Sequence, residues 1–545
     1  MVSFMLDAVK FLCFWGEING VMGRFYRRLL VNSRIENGIE RFYMKKFVAI
    51  CMVALALTCG YTSAEAKRLT ILSANDTHSM IRPDADGRGG AVRQKAIVDS
   101  VRHADENVVA VHAGDAVQGT VYFSTFKGEV EYAMLDSVGF DVCILGNHEF
   151  DNRIDDVAKY YSHLKAAKIS ANYDFEDTPC RGLFTPYVIK QFDGKRVAFM
   201  GINLNPKGMI AEKNIGNMIF VDAVKVALNL SEYLKTSGLA DYVVMVSHIG
   251  YTSNEGEESD VVIAKASRYI DLIIGGHSHT LIDPNDKAQH LVKNADGRLI
   301  PICQAGKYGK NMCKMVLDLD NGNVDYSIIP VDASCDAWAS RYTALNDWLK
   351  PYDDEVYRVM HSRIASSARA MSNAELSYLP NFITDAVCDI IAERWGKVDF
   401  SMMNRGGIRQ PLPEGDIAEG MITSMLPFDN KLVVMKIKGA DLLEAFKVMT
   451  YRDGDAVSRG LDIKFKDHDI VWAKLNGKSI KPDKYYTMVT VDYLANGGDY
   501  MDPLKRGEVL FTDSVSYGGL VLQYVKDLDK KGKKVDAEGR VRMHK

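Results

Sequence analysis

An α/β fold built in two parts is what this sequence predicts, and three observations predict it. At 545 residues the chain exceeds what one ordinary hydrophobic core accommodates. In its first half, short unbroken apolar runs alternate with segments of helical periodicity, the pattern of a largely parallel sheet buried on both faces. Those runs end, one after another, in side chains able to bind metals, at the strand ends where open α/β sheets gather their ligands.

The anchor is Val142-Cys-Ile-Leu-Gly-Asn-His-Glu-Phe-Asp151, an apolar strand that turns sharply at Gly146 and delivers Asn147, His148 and Asp151 to one spot. Around it, Leu69-Thr-Ile-Leu-Ser-Ala-Asn-Asp-Thr-His78 delivers Asp76 and His78, and Val108-Val-Ala-Val-His-Ala-Gly-Asp115 delivers Asp115. Tyr242-Val-Val-Met-Val-Ser-His248 and Leu272-Ile-Ile-Gly-Gly-His-Ser-His279 add His248, His277 and His279. Asp76, His78, Asp115, Asn147, His248, His277 and His279 are more N and O donors than one metal needs, and no thiolate is among them. A pair of ions sharing a bridging carboxylate, naturally Asp115, uses them all. The donor set suits Zn²⁺, Mn²⁺, Fe or Co²⁺ better than Ca²⁺ or Cu⁺. Two such ions about 3.5–4 Å apart activate a water and clamp a phosphoryl oxygen, the chemistry of phosphoester hydrolysis. Asp151 is placed to fix the tautomer of His148 and hold it protonated.

These motifs resemble the calcineurin-like metallophosphatases. With the C-terminal signals below, the chain is similar to the 5′-nucleotidase and UDP-sugar hydrolase family from about Arg68 onward. The resemblance implies a four-layer α/β/β/α metallophosphatase domain, a linker helix and a C-terminal α/β nucleotide-binding domain. It implies one metal on Asp76, His78, Asp115 and His279 and another on Asp115, Asn147, His248 and His277. It also implies that His148 with Asp151 stabilises the transition state and donates a proton to the leaving group. The family usually has Gln or Asn where this chain has His279, a departure that bears on metal preference.

Composition is that of a soluble globular protein, 47% hydrophobic and 25% charged, and a formal net charge of −4 gives no surface for a nucleic-acid polymer. Met44-Lys-Lys, the apolar run from Phe47 to Cys59 and Ala64-Glu-Ala66 read as the three regions of a signal peptide. Residues 1–43 then read as an upstream extension, and the mature protein is expected in the periplasm or at the cell surface with no transmembrane segment. Lipidation at Cys59 is the less favoured alternative, because Ala56-Leu-Thr58 departs from the usual lipoprotein box. Export permits disulfides, and Cys303 with Cys313 are candidates for a pair, as much as for buried free thiols.

The expected domains are 67–332 and 368–545, with 333–367 as the linker helix. The glycine-rich turn from Gly87 to Gly90 reads as a connection rather than a phosphate cradle, and His112 as a core residue. His103, His163 and His290 read as surface residues, and Asn381 as a helix cap. Asp399-Phe-Ser-Met-Met-Asn-Arg-Gly-Gly-Ile-Arg409 sets a guanidinium beside loop N–H groups, which suits an oxyanion. Leu426-Pro-Phe-Asp429 and Val491-Asp-Tyr-Leu-Ala-Asn-Gly-Gly-Asp499 each present an aromatic at a loop, and two aromatic faces hold a planar base. By the resemblance Asn404 and Arg409 contact substrate, Phe428 and Tyr493 sandwich the base, and Asp499 meets the ribose. The family often has Phe at Tyr493, and an arginine it usually carries has no match in Ala374-Glu-Leu-Ser-Tyr-Leu-Pro380, which leaves Arg405 as a substitute.

The expected activity is removal of the 5′-phosphate from nucleoside monophosphates. The rivals are a UDP-sugar or dinucleotide pyrophosphatase, a 2′,3′-cyclic phosphodiesterase, a sulfur-compound hydrolase, and an exported nucleotide-binding protein without activity. Oligomeric state is not legible in the sequence.

Overall fold

Two six-stranded sheets form the first half of the structure, a computed structural model that describes residues 67–252, 258–428 and 430–545. The proposed signal segment, the extension before it, Cys59 and Asp429 lie outside the described residues. In the first sheet Arg68–Ala74, Val108–His112, Val142–Ile144 and Ala167–Ile169 run parallel, and Asn311–Asp318 and Val324–Pro330 extend it antiparallel. In the second, Lys195–Asn203, Tyr242–His248, Leu272–Ile274 and Leu299–Cys303 run parallel, flanked by Tyr187–Phe192 and Leu291–Lys293.

Period-two alternation along the strands builds four layers. Leu69, Ile71, Val109 and Val111 pack against Val244, Val246, Leu272 and Ile274 between the sheets. Leu72, Ala74 and Ala110 point the other way, onto Val92, Ile97 and Val98 of the helix Ala91–Ala104. The outer face of the second sheet, with Val243, Met245 and Ile273, is covered by Ala227 and Leu234 of Ala223–Thr236 and by Ile263 of Asp260–Ala266. This is the α/β/β/α arrangement expected from the sequence.

The helix after the first half is shorter than the sequence suggests. It spans Thr343–His361 and buries Leu349 in the helix-side core of the first half. Residues Arg363–Ser367 leave it to form a strand paired with Gly415–Ala418. Ala365 is buried in the C-terminal core and Ile364 packs against it. Beyond it a five-stranded sheet runs in the order Ala456–Val457, Phe400–Met403, Tyr485–Val491, Lys431–Lys438, Glu508–Ser516. The helix Tyr378–Arg394 covers it and begins before Asn381, whose amide donates instead to the carbonyls of Glu538 and Arg540, so Asn381 does not cap it. Among the described residues no helix is long and apolar enough to cross a membrane.

His112 is buried against Phe140, as expected, whereas His290 is not a surface residue. It is 6% exposed, facing the Ile302 carbonyl at 3.2 Å and the Tyr326 ring. Cys303 and Cys313 are buried free thiols; Cys313 Sγ lies 3.5 Å from the Tyr326 hydroxyl.

Candidate active site

The parallel strands of both sheets release their loops on one edge, and the seven donor residues meet there. Asp76, His78, Asp115, His277 and His279 all have φ between +47° and +76°, a left-handed backbone that costs energy and is kept only where surroundings enforce it. The enforcement is close packing. A Cβ at Gly146 would come within 2.2 Å of Asp115 Oδ1, and one at Gly276 within 2.7 Å of His248 Nδ1.

Two clusters of donors share Asp115. His78 Nε2 lies 2.9 Å from His279 Nε2 and 3.9 Å from both Asp76 Oδ1 and Asp115 Oδ2. His248 Nε2 lies 3.2 Å from Asp115 Oδ2, and His277 Nδ1 lies 2.9 Å from Asn147 Oδ1. The groups Asp76, His78, His279 and Asp115, His248, His277 each bring their ligand atoms within 4.8 Å of one another. Backbone contacts complete the frame: His248 Nδ1 faces the Ala113 carbonyl at 2.7 Å, and the His277 amide donates to Asp76 Oδ2 at 3.0 Å.

The arrangement fits divalent cations. His248 Nε2 is fully buried and aimed into the acidic cluster, 3.2 Å from Asp115 Oδ2 without the geometry of a hydrogen bond. Burial drives the pKa of His78 down to about 3 and that of His277 to about 4, so both offer neutral lone pairs. Burial opposes ionisation of Asp76 and Asp115 as well, yet the histidines, His248 foremost, hold both below the usual carboxylate range. At His248 the Asp115 and Asp76 carboxylates overcome burial and raise the pKa to about 10. A field that holds a proton so firmly there also holds a cation.

Glu149, passed over in the sequence, braces this centre. Its carboxylate accepts from the backbone N–H groups of Gly146, Ala116 and Asp115 at 2.5, 2.8 and 3.1 Å, tying the Asp115 loop to the Asn147 loop. Gln304 does the same for His277 and His279, donating to the Gly276 carbonyl and accepting from the Thr280 amide. The Glu in Gly-Asn-His-Glu was the available signal for Glu149; nothing local marks Gln304.

His148 stands at the mouth of the centre. Its Nδ1 is 2.8 Å from Asp151 Oδ2 and its amide donates to Asp115 Oδ1 at 2.9 Å. Burial disfavours the imidazolium, but Asp151 and Asp115 outweigh it and raise the His148 pKa above its ordinary value.

A cavity of about 420 Å³ opens beside this dyad and is lined from both halves of the chain. Asn147, His148 and Asp151 form one wall; Asn404, Arg409, Phe428, Tyr493 and Asp499 form another. The C-terminal five follow from topology: Asn404 and Arg409 lie just past the strand Phe400–Met403, Phe428 just before Lys431–Lys438, and Tyr493 and Asp499 past Tyr485–Val491. Asp499 Oδ1 accepts from the Tyr493 hydroxyl and Oδ2 from Asn404 Nδ2, at 2.8 and 2.7 Å. Arg452 donates to the Asp499 carbonyl at 2.8 Å. Arg405 does not replace the absent arginine. Its guanidinium donates to the carbonyls of Ala374 and Arg452, away from the cavity lining. Lys127, Arg153 and Lys213 from the first half line the cavity and bring positive charge instead. The Gly87 turn is absent from the lining; its carbonyl accepts from Arg93.

A donor-rich edge of two stacked sheets, with an imidazole–carboxylate pair over it, defines a metallophosphoesterase. Comparison with known proteins agrees: residues 69–281 match the calcineurin-like phosphoesterase family model, and residues 356–506 match the 5′-nucleotidase C-terminal domain. The chain is 27% identical over 515 residues to the 5′-nucleotidase of Rattus norvegicus, covering 84% of this chain and 88% of that one. It is also 27% identical over 485 residues to an apyrase of Tabanus yao, with 79% and 86% covered. Among solved structures, a 5′-nucleotidase precursor from Thermus thermophilus superposes with a TM-score of 0.75 at 26% identity, covering 88% of this chain and 99% of that one. The chain belongs to the 5′-nucleotidase family and is a metal-dependent phosphoester hydrolase acting on nucleotides.

Proposed function

We propose that the protein removes the 5′-phosphate from nucleoside monophosphates, giving nucleoside and phosphate, with two divalent ions, Zn²⁺, Mn²⁺, Co²⁺ or Fe. The ions are assigned to Asp76, His78, Asp115 and His279 and to Asp115, Asn147, His248 and His277. When bound, they would supply Lewis acidity toward the phosphoryl group and an activated water. The observation that carries the reading is the shared cavity, in which the dyad faces Arg409, Phe428, Tyr493 and Asp499.

Arg409 offers a forked donor to phosphate oxygens, and Asp499 two acceptors for ribose hydroxyls. Phe428 and Tyr493 offer ring faces to the base. Water adds to phosphorus, the bond from phosphorus to the 5′ oxygen breaks, and that oxygen takes the proton held on His148 Nε2. Asp151 keeps His148 in the tautomer and orientation this needs. The domain limits 67–332 and 368–545, and export through Met44 to Ala66, belong to the same proposal.

Phosphate release from AMP, UMP, UDP-glucose and 2′,3′-cyclic AMP with added Mn²⁺ or Zn²⁺ tests it, with a coupled phosphomonoesterase free of phosphodiesterase added only for UDP-glucose and the cyclic substrate, whose cleavage leaves a monoester. Monophosphates turned over fastest support the reading. Preference for UDP-glucose or the cyclic substrate transfers the site to those rivals, and binding without turnover transfers it to a binding protein.

A further inference from the structure

Gln118 has no part in the reaction as described so far. It lies between Asp115 and the helix Val121–Phe126, is 0% exposed and holds a φ of +69°. The metal side fixes its neighbours: the Val117 carbonyl faces His78 Nδ1 at 3.3 Å, and a Cβ at Gly119 would come within 2.9 Å of the His78 carbonyl oxygen. From this rigid loop Gln118 Oε1 faces Arg409 Nη2 of the other half at 3.5 Å. A guanidinium has only donors, so the amide must turn its acceptor end to it. Its own donor end is then stranded: Nε2 is buried and has no hydrogen-bond partner. A strained backbone and an unpaired buried donor are both unfavourable, and an apolar side chain would avoid the second.

We infer that Gln118 is a positioning residue that sets the Arg409 guanidinium over the centre for the phosphoryl dianion, an inference resting on Arg409 as the phosphate contact. The neutral amide engages one N–H of the fork and orients the remainder. A carboxylate at this position would orient it too, but would cancel the charge that the phosphate needs. The other contacts of Arg409 are a 3.4 Å hydrogen bond to the Gly406 carbonyl and the face of Phe428 at 6.0 Å, and both belong to its own half of the chain.

A double-mutant cycle tests this, with Gln118→Leu, Gln118→Glu, Arg409→Ala and Gln118→Leu/Arg409→Ala in the purified metal-loaded protein. The readouts are KM and kcat for AMP, the Kd of inorganic phosphate by calorimetry, bound metal and the thermal midpoint. Gln118→Leu is expected to raise KM and the phosphate Kd roughly 10-fold, the size of one oriented hydrogen bond, with kcat changed less and metal content and midpoint preserved. Gln118→Glu weakens phosphate at least as much, and the double variant loses no more than Arg409→Ala alone. The inference is overturned by losses that multiply in the double variant, by loss of metal from Gln118→Leu, or by an unchanged phosphate Kd. A wild type that binds phosphate with a non-multiplying cycle but leaves AMP intact sinks the nucleotidase reading and keeps this one. A wild type that turns over AMP but binds no phosphate sinks this inference and keeps the nucleotidase reading.

Discussion

The ring of Phe428 lies nearly parallel to that of His148, with centroids 6.1 Å apart and planes 20° apart. A residue proposed to hold a base thus sits against the residue proposed to protonate its leaving oxygen, although they are far apart in sequence. The same ring is capped at 6.0 Å by the Arg409 guanidinium. Chemistry and recognition therefore share side chains, and their separate contributions are measurable.

Phe428→Ala removes a stacking face worth about 1–3 kcal/mol per base, so KM for AMP is expected to rise on the order of 10-fold or more. Phe428→Trp restores a ring face. Steady-state kinetics checks both; a fall in kcat at unchanged KM contradicts base stacking.

His148→Ala and Asp151→Asn leave every proposed metal ligand in place. Each is expected to lower kcat, the histidine change by about 10²–10⁴ and the aspartate change by less, with bound metal unchanged by elemental analysis. Metal loss in either variant would make the dyad part of the cation site.

Glu149→Gln puts an amide donor among three backbone N–H groups that now donate to a carboxylate. The Asp115 and Asn147 loops lose their common brace, and affinity for added Mn²⁺ or Zn²⁺ should fall by about 10–100-fold, as for other residues that orient ligands. Calorimetric titration of the chelator-stripped protein measures it, and unaltered affinity refutes the bracing role.

Glu131, which accepts from the Ser79 hydroxyl, gives a pH prediction. Burial raises its pKa to about 7 from an ordinary 4.5, and one carboxylate oxygen has no hydrogen-bond partner. The fold prefers the protonated acid, so its contribution is complete below about pH 4.5 and is lost as pH rises through 7, by at most about 3 kcal/mol. Glu131→Gln is uncharged throughout. Its thermal midpoint relative to wild type should therefore climb between pH 5 and pH 8; a constant difference across that range would show that Glu131 is not protonated in the fold.

Much of this centre was legible because its signals are local. Apolar runs ending in Asp76, His78, Asp115, Asn147, His248, His277 and His279 fix both strand and donor side chain within a few residues, and parallel pairing brings the strand ends together. Asn381 was misread because a cap depends on where the preceding turn begins, and Tyr378 extends the helix upstream. Arg363–Ser367 was misread because its partner, Gly415–Ala418, lies far along the chain. His290 looked exposed in a polar stretch, yet Tyr326 from the strand Val324–Pro330 covers it. Gln118 and Gln304 carry no sequence mark, since their roles come from residues that only tertiary structure supplies.

The most direct test of the account compares AMP with p-nitrophenyl phosphate, a phosphomonoester without a nucleoside, in wild type, Phe428→Ala, Asp499→Ala and His148→Ala. If phosphate reacts at the metal centre while the C-terminal half recognises the nucleoside, Phe428→Ala and Asp499→Ala lose kcat/KM for AMP and keep it for p-nitrophenyl phosphate, whereas His148→Ala loses it steeply for AMP and less for p-nitrophenyl phosphate, whose phenolate leaves with little need of a proton. Equal losses for the two substrates in the C-terminal variants would contradict nucleoside recognition by Phe428 and Asp499.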